Sequence, residues 1–203
     1  MLSASGYTPM TPFVAKFLFV GGVMAWAVIR YPFQRRAWKY PVSTTLRDAR
    51  EQFLLAIAAA GLGLIPLLNV ASGFPRAADH SFSPRLAWIG AILFSSALWL
   101  FYRSHRDLGL HFSESLDLRI DHALVTDGVY RHLRHPMYLA FWLWAFAQVL
   151  LLPNWFAGGA GIAGFSVLYF GRLDREEQMM VDQFGDRYRD YAKHTARIVP
   201  WLL

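Results

Sequence analysis

The chain has 203 residues, of which 55% are hydrophobic and only 17% charged. Soluble domains carry about a quarter charged residues, so this composition, with its eight Trp and sixteen Phe, indicates a membrane protein. The absence of cysteine excludes disulfides, thiolate metal sites and a catalytic thiol. The net charge of +6 is compatible with a nucleic-acid partner until the positions of the basic residues are considered.

Five apolar segments follow one another along the chain, and each is free of interior charge or nearly so. They cover residues 12–29, 53–70, 86–102, 137–152 and 155–171. Each is at the short end of what crosses a hydrocarbon core of ~30 Å. Buried helices of a soluble bundle would show polar faces at 3.6-residue spacing, which these segments lack. The sequence therefore predicts an all-α, polytopic membrane protein with five transmembrane helices and a cytoplasmic C-terminal helical region.

Two of these segments carry further local signals. The first lacks a basic leader and a small-x-small cleavage site, so we expect it to remain as a span rather than act as a cleaved signal peptide. The second contains Pro66, which predicts a kink because proline has no N–H and crowds the preceding turn.

The basic residues predict the orientation of the chain. Seventeen of them lie in the loops after the first and third segments and in the C-terminal tail, and only Arg76 and Arg85 lie in the loops on the opposite side. By the positive-inside rule the N-terminus is outside and the C-terminus is cytoplasmic. This distribution accounts for the net charge, so we expect no nucleic-acid partner.

The fourth and fifth segments are joined by little more than Pro153 and Asn154, which predicts a tight antiparallel hairpin. The fifth segment contains three small-xxx-small pairs, which allow helices to approach closely in lipid. The pairs are Ala157/Gly161, Gly159/Ala163 and Ala160/Gly164. We expect them to serve packing only.

Ionisable chemistry concentrates on the predicted cytoplasmic side, where every acidic residue except Asp79 lies. His135-Pro136 favours an extended residue followed by a helix start, whose free backbone N–H groups suit a carboxylate or phosphate. Arg172 and Glu176 are four residues apart and share a helix face. Because the last two spans form a hairpin, we expect His135, Tyr138, Arg172 and Glu176 to converge.

Each feature also has a purely structural interpretation when it is taken alone. Arg131 and Arg134 could anchor a span at lipid headgroups, and Arg172 with Glu176 could be an ordinary surface ion pair. Tyr188 and Tyr191 could belong to an aromatic belt at the membrane surface. No predicted span interior contains His, which argues against a haem site.

Four motifs in fixed order carry a resemblance over the last two fifths of the chain. They are HALVTDGVY from His122, RHPMY from Arg134, the pair Glu176-Glu177, and FGDRY from Phe184. This set resembles the isoprenylcysteine carboxyl methyltransferase family and its wider membrane methyltransferase group, which includes phospholipid methyltransferases. That family often has a longer run of Glu after the last span, which Arg175 interrupts here.

The resemblance implies S-adenosyl-L-methionine as cofactor at the cytoplasmic face and a catalytic region formed by residues 103–203, with three preceding spans in residues 1–102. The positions that match the family's cofactor-binding residues are His122, Ala123, Leu124, Val125, Tyr130, His135, Pro136, Met137, Tyr138 and Glu176. Arg172 matches the position that meets a substrate carboxylate. The expected acceptor is lipophilic and enters from the membrane lipid, and carboxylate O-methylation is favoured.

Several alternatives stay open on the sequence. Phospholipid or small-amine N-methylation would need a base, for which His135 and Glu177 are candidates. Sterol reductases that use NADPH resemble this group in their C-terminal part, although such chains usually have more spans. A non-enzymatic membrane assembly subunit would bind neither cofactor. The oligomeric state is open.

Overall fold

A computed structural model describes residues 10–37, 42–45, 48–109, 117–119 and 124–199. Within these ranges the chain forms long helices linked by short loops. The helices are α1 (Pro12–Ala37), α2 (Ala49–Ala59), α3 (Ile65–Ser72), α4 (Pro84–Leu108), α5 (Pro136–Leu151), α6 (Trp155–Phe184) and α7 (Asp186–His194). A π-helical turn, Ala60–Leu64, joins α2 to α3, and 3-10 turns occur at Arg76–Ala78 and Gly128–Arg131.

The prediction of apolar spans is confirmed at the level of helices. Pro12–Arg36, Ala49–Ser72 and Pro84–Leu108 are long and apolar enough to cross a membrane by length and composition. Helix α5 is equally apolar but has only 16 residues. Helix α6 is longer than predicted, because its 30 residues include both the apolar fifth segment and the charged stretch that follows it.

The all-α prediction needs one correction outside the helices. Strand β1 (Val42–Thr45) pairs antiparallel with β2 (Asp117–Arg119) to form a two-stranded ribbon. The first strand reads VSTT, and β-branched residues of this kind favour strands. The ribbon joins the loop after α1 to the loop after α4, two loops that the sequence analysis expects on the same side of the membrane. We call this end of the molecule the ribbon end.

The opposite end is closed by Asn154, the residue that caps α6. Its side-chain amide donates to the carbonyl of Pro75 at 2.8 Å and to Asp79 Oδ1 at 2.7 Å. Its Oδ1 accepts from the backbone N–H of Ala157 at 2.9 Å. The loop after α3 is therefore tied to the α5–α6 turn, and the predicted hairpin is present.

Helices α2 and α6 pack with their backbones close together. There is no room for a Cβ at Gly61, because the carbonyl of Ala160 lies against it. A Cβ at Gly164 would lie 2.7 Å from the carbonyl oxygen of Ile57. Gly61 belongs to the π-helical turn that directly precedes Pro66, so the regular α-helical pattern is interrupted where the sequence predicted a kink.

The three small-residue pairs of α6 do not share one role. Ala157, Gly161 and Gly164 are buried in helix contacts, whereas Gly159 meets open space and Ala163 is exposed. The pairs Ala157/Gly161 and Ala160/Gly164 thus serve packing, and Gly159/Ala163 lies on the outward face.

A buried amide links α5, the π turn and α6 near the Asn154 end of the hairpin. Gln148 of α5 is fully buried, and its Nε2 donates to the carbonyl of Gly61 at 3.0 Å and to that of Ala157 at 2.6 Å. These bonds connect α5 to both the π turn and α6. They hold these segments together on the side away from the ribbon end, and the polar residues described next are gathered at the ribbon end.

Candidate functional site

The α5–α6 hairpin brings the first turn of α5 against the charged half of α6. Tyr138 Oη donates to Glu176 Oε2 at 2.5 Å. His135 Nδ1 lies 3.8 Å from Glu176 Oε1, and the rings of His135 and Tyr138 are stacked with centroids 5.3 Å apart. Arg172 Nε is 3.3 Å from Glu176 Oε2. The expected convergence of His135, Tyr138, Arg172 and Glu176 is therefore present in the structure.

The start of α5 positions these side chains through local geometry. His135 precedes the helix with a non-helical backbone, and Pro136 occupies the first helical position, where its missing N–H would have no helical partner. Tyr138 follows in the same turn and points toward α6, because the three-residue connection at the far end sets the two helices side by side. The sequence pattern His-Pro-x-Tyr thus places one imidazole and one phenol on the same side of the helix start.

Arg172 has a second carboxylate partner that the sequence analysis did not identify. Its Nη1 lies 2.9 Å from Oε1 of Glu51, in the first turn of α2. Both side chains are buried, with 10% and 1% of their surface exposed. Together Glu51, Arg172, Glu176 and Tyr138 form what we call the Glu176 cluster.

One local signal for Glu51 was present in the sequence. Asp48 accepts from the backbone N–H of Glu51 at 2.8 Å, so Asp48-Ala-Arg-Glu51 is an N-cap followed three residues later by Glu, the pattern of a capping box. The Glu51 side chain forms an ion pair with Arg172. The capping pattern indicates that a helix begins here and that Glu51 lies in its first turn. It does not indicate that Glu51 pairs with Arg172.

Glu177, the next residue along α6, belongs to a different group of charges. Its Oε1 lies 3.2 Å from Arg134 Nε and 3.3 Å from His135 Nε2, and its Oε2 accepts from Arg197 Nη2 at 2.8 Å. We call Glu177, Arg134, His135 and Arg197 the Glu177 cluster. His135 lies between the two clusters, because its second ring nitrogen faces Glu176.

The two carboxylates are held in the ionised form. Burial raises the pKa of Glu177, but the hydrogen bond with His135 and the charges of Arg197 and Arg134 lower it to about 2. Burial likewise raises the pKa of Glu176, while the charges of Arg172 and His135 outweigh this and leave the pKa below its usual range. Both residues are therefore anions at neutral pH.

The C-terminal segment after α7 covers the stretch that precedes α5. Leu133 and Ala196 form a parallel bridge, and the backbone N–H of His135 donates to the carbonyl of Arg197 at 2.9 Å. Arg134 Nη1 donates to the carbonyls of Ala192 and Thr195. The sequence contained no sign of this pairing, since no hydrophobic alternation marks either segment as a strand.

A tight turn places Tyr130 at the same end. Gly128 has φ +62 and no room for a Cβ, because Asp107 lies against it and accepts from the N–H of Val129 at 3.0 Å. Tyr130 is buried, its carbonyl accepts from Tyr191 Oη at 2.6 Å, and its pKa is raised by burial and then by the charge of Glu176.

The remaining predicted positions are distributed around this centre. Leu124 and Val125 are half-buried, Pro136 is buried, and Met137 packs against the group formed by Leu100, Phe101 and Ala140. Met137 thus faces α4 rather than Glu176. His122 and Ala123 lie outside the described residues.

The groups gathered at this site suit a charged organic ligand. Among the described residues no group of three or more His, Asp or Glu side chains could hold a metal ion. Glu176 keeps 26% of its side chain exposed beside the aromatic rings of His135 and Tyr138. Tyr188 Oη is buried and has no hydrogen-bond partner among the described residues. An anion, aromatic faces and a spare hydroxyl can accommodate a cationic, hydrogen-bonding ligand.

The chain is similar in sequence to known membrane methyltransferases. The phospholipid methyltransferase family model matches residues 86–187, half of the chain. A protein-S-isoprenylcysteine O-methyltransferase from Dictyostelium discoideum is 31% identical over 120 residues, which cover 58% of this chain and 50% of that protein. Its counterpart from Schizosaccharomyces pombe is 36% identical over 82 residues, covering 40% of this chain and 35% of that protein.

A solved structure shares the fold. It is described as the eukaryotic intramembrane Ras methyltransferase ICMT (isoprenylcysteine carboxyl methyltransferase). The TM-score is 0.52 at 23% identity, and the match covers 77% of this chain and 55% of that one. The chain therefore spans about half the length of the relatives it matches, or less.

Proposed function

The chain belongs to the phospholipid methyltransferase family, and on that premise we propose that it is an integral membrane methyltransferase that uses S-adenosyl-L-methionine to methylate a lipophilic acceptor. One observation carries the proposal. Glu176, which matches the cofactor-binding position of the related family, lies at the ribbon end with Tyr138 at 2.5 Å and Arg172 at 3.3 Å. The matched relatives are methyltransferases that extend well beyond this chain, so activity and substrate are proposed.

The residues present fit the charges of the cofactor. Glu176 would pair with its ammonium group, and the faces of Tyr138 and Tyr130 would lie near its cationic centre. The first turn of α5 would supply backbone N–H groups to its carboxylate. When bound, S-adenosylmethionine supplies an activated methyl group on a sulfonium. The chain's own task is then alignment, because methyl transfer to a carboxylate requires no proton transfer.

Arg172 would hold the acceptor. It lies one helical turn before Glu176, at the boundary between the apolar and charged parts of α6, where an acidic head group on a lipid-like tail would arrive. A guanidinium binds a carboxylate or phosphate in a fixed, two-pronged geometry. The names of the relatives favour O-methylation of an isoprenylcysteine carboxylate, so we propose an acceptor of that class.

N-methylation of a phospholipid or a small amine is the second candidate, favoured by the family match and by the extra carboxylate beside Arg172. An amine acceptor must lose a proton, which requires a base. Glu177 suits that task poorly because its pKa is lowered to about 2. His135, between the two clusters, is the better candidate.

We also propose the arrangement in the membrane. The chain forms one membrane domain with five spans: α1, α2 with α3, α4, α5 and the apolar first half of α6. The N-terminus is outside, and residues 103–203 build the catalytic region at the cytoplasmic face. The asymmetric basic residues support this orientation.

Cysteine labelling tests the orientation, and the chain has no native cysteine to interfere. Single cysteines would replace Ser72, exposed at the Asn154 end, and Arg187, exposed in α7. In intact cells an impermeant maleimide should label the first variant and not the second. Labelling of Arg187→Cys alone would reverse the orientation and place the site outside.

Binding and turnover test the function. In detergent, titration calorimetry should show binding of S-adenosylmethionine and not of NADPH. The opposite result would favour a membrane reductase, and binding of neither would favour a non-enzymatic assembly subunit. With radiolabelled cofactor, the wild-type chain should label an S-isoprenylated N-acetylcysteine; label in a phospholipid amine alone would favour the second candidate.

A further inference from the structure

Glu51 is a buried carboxylate outside the part of the chain that matches the family model, which begins at residue 86. Only 1% of it is exposed, and it faces Arg172 Nη1 at 2.9 Å. Its position in the first turn of α2 is favourable for a negative charge, because helix N-termini carry partial positive charge.

The neighbouring contacts between the same two helices are of an ordinary kind. Arg175 Nη2 donates to Asp48 Oδ2 at 2.8 Å, and Arg50 Nη2 donates to the carbonyl of Gly171 at 2.9 Å. Both contacts are exposed to solvent. These surface contacts also join α2 to α6 at this end. A buried ion pair is a poor source of additional stability, because removing both charges from water costs about as much as their attraction returns.

Arg172 is consequently shared between two carboxylates before any acceptor arrives. Its Nη1 faces Glu51 and its Nε faces Glu176, so its charge is already balanced. An acidic acceptor that binds the same guanidinium must compete with Glu51. An acceptor without negative charge meets no such competition.

We propose that Glu51 is a specificity-determining residue at the acceptor end of the site: it competes with the acceptor's acidic group for Arg172 and so weakens the binding of that group. This inference rests on the proposed function, in which Arg172 holds the acceptor.

Weaker binding benefits the reaction when the nucleophile is the bound acid itself. The carboxylate oxygen forms a bond to the methyl carbon as the carbon–sulfur bond breaks, and the electron pair of that bond stays on sulfur. The oxygen loses negative charge along the way, and the products are a methyl ester and a neutral thioether. An unopposed guanidinium would stabilise the initial carboxylate more than the transition state and would slow the step. Glu51 limits that ground-state stabilisation.

The test compares binding of an acid with binding of its amide. The probes are an S-isoprenylated N-acetylcysteine and the corresponding C-terminal amide, and S-adenosylhomocysteine replaces the cofactor so that no methyl is transferred. Glu51→Gln should raise the affinity for the acid relative to the amide about ten-fold, the size expected for removing one competing carboxylate from its ion pair with Arg172. Arg175→Gln, the matched control, removes an ion pair between the same helices and should leave the ratio unchanged.

Turnover provides the second readout. In Glu51→Gln both KM for the acid and kcat should fall, whereas a residue that only holds α2 in place would lower the melting temperature without lowering KM. If Glu51→Gln does not fold, Glu51→Asp keeps the charge but shortens its reach, and the acid-to-amide ratio should still rise by about three-fold.

The outcomes separate the two proposals. An unchanged acid-to-amide ratio in the Glu51 variants, with a wild-type chain that methylates the acid, overturns the role of Glu51 and leaves the proposed function intact. A wild-type chain that binds the acid but methylates neither acid nor amine overturns the proposed function, and the ratio still decides whether Glu51 competes for Arg172.

Discussion

Glu176 and Glu177 are adjacent on the same helix, yet they belong to different clusters. Successive residues of an α-helix point about 100° apart, so Glu176 faces α2 and α5 while Glu177 faces the C-terminal segment. Glu176 contacts Tyr138 and Arg172 and keeps 26% of its side chain exposed. Glu177 contacts Arg134, His135 and Arg197 and keeps 16% exposed. We infer that the first is available to a ligand and the second holds the structure together.

The partners of each carboxylate explain this difference. The side chain of Arg134 is buried and also donates to the carbonyls of Ala192 in α7 and Thr195 after it, so Glu177 and Arg134 join the start of α5, α6 and the C-terminal residues. The Glu176 cluster instead joins only helices α2, α5 and α6, and the ring of His135 stacks on its Tyr138. Substitution of Glu177 is therefore a matched control for substitution of Glu176, and the reverse also holds.

The largest expected effect is on stability. Glu177→Gln should lower the free energy of unfolding by about 3 kcal/mol, because it leaves the buried guanidinium of Arg134 without its carboxylate. Thermal unfolding in detergent measures this. Arg197→Gln removes the half-exposed partner and should cost less than about 1 kcal/mol. Equal losses in the two variants would contradict a junction centred on Arg134.

Cofactor affinity should depend more on Glu176 than on Glu177. Glu176→Gln should weaken S-adenosylmethionine binding about ten- to a hundred-fold, corresponding to ~1.5–3 kcal/mol for a charge-assisted hydrogen bond. His135→Ala should weaken S-adenosylmethionine binding by a factor in the same range, and Glu177→Gln should weaken it less. Calorimetry under conditions where every variant is folded gives the comparison. A larger loss in Glu177→Gln would exchange the roles of the two carboxylates.

Substitution of Arg172 tests whether the Glu176 cluster binds the cofactor and the acceptor through different residues. Arg172→Lys keeps a positive charge near Glu51 and Glu176 but loses the planar fork. Cofactor affinity should stay near wild type, while methyl transfer falls at least about ten-fold, or ~1.4 kcal/mol of transition-state stabilisation. Radiolabel transfer to an accepted substrate measures this. Unchanged turnover would mean that Arg172 only balances the two carboxylates.

The smallest expected effect is a pH dependence of the Glu177 junction. The pKa of Glu177 is lowered from 4.5 to about 2, so its contribution is fully present above about pH 4.5 and is lost as the pH falls toward 2. Between pH 7 and pH 4 the stability difference between wild type and Glu177→Gln should therefore shrink by less than about 1 kcal/mol. A difference that grows on acidification would contradict an ionised Glu177.

The sequence by itself determined the features that depend on covalent spacing. Apolar length predicted the helices, and the two-residue connection at Pro153 and Asn154 predicted that the start of α5 and the charged half of α6 would meet. The four-residue spacing of Arg172 and Glu176 predicted their ion pair. Motif order led to the methyltransferase family that the comparisons support. The orientation and the ligand roles of these residues stay predictions.

Only the tertiary structure decided the contacts between segments that lie far apart in the chain. Glu51 meets Arg172 because α2 packs closely on α6 at Gly61 and Gly164, where glycine permits backbone contact. The pairing of Leu133 with Ala196 depends on how α7 returns the chain to the start of α5. Sequence patterns specify which face of a helix is apolar, but the rotation of one helix against another is set by packing. That rotation decides which side chains Glu176 and Glu177 each contact.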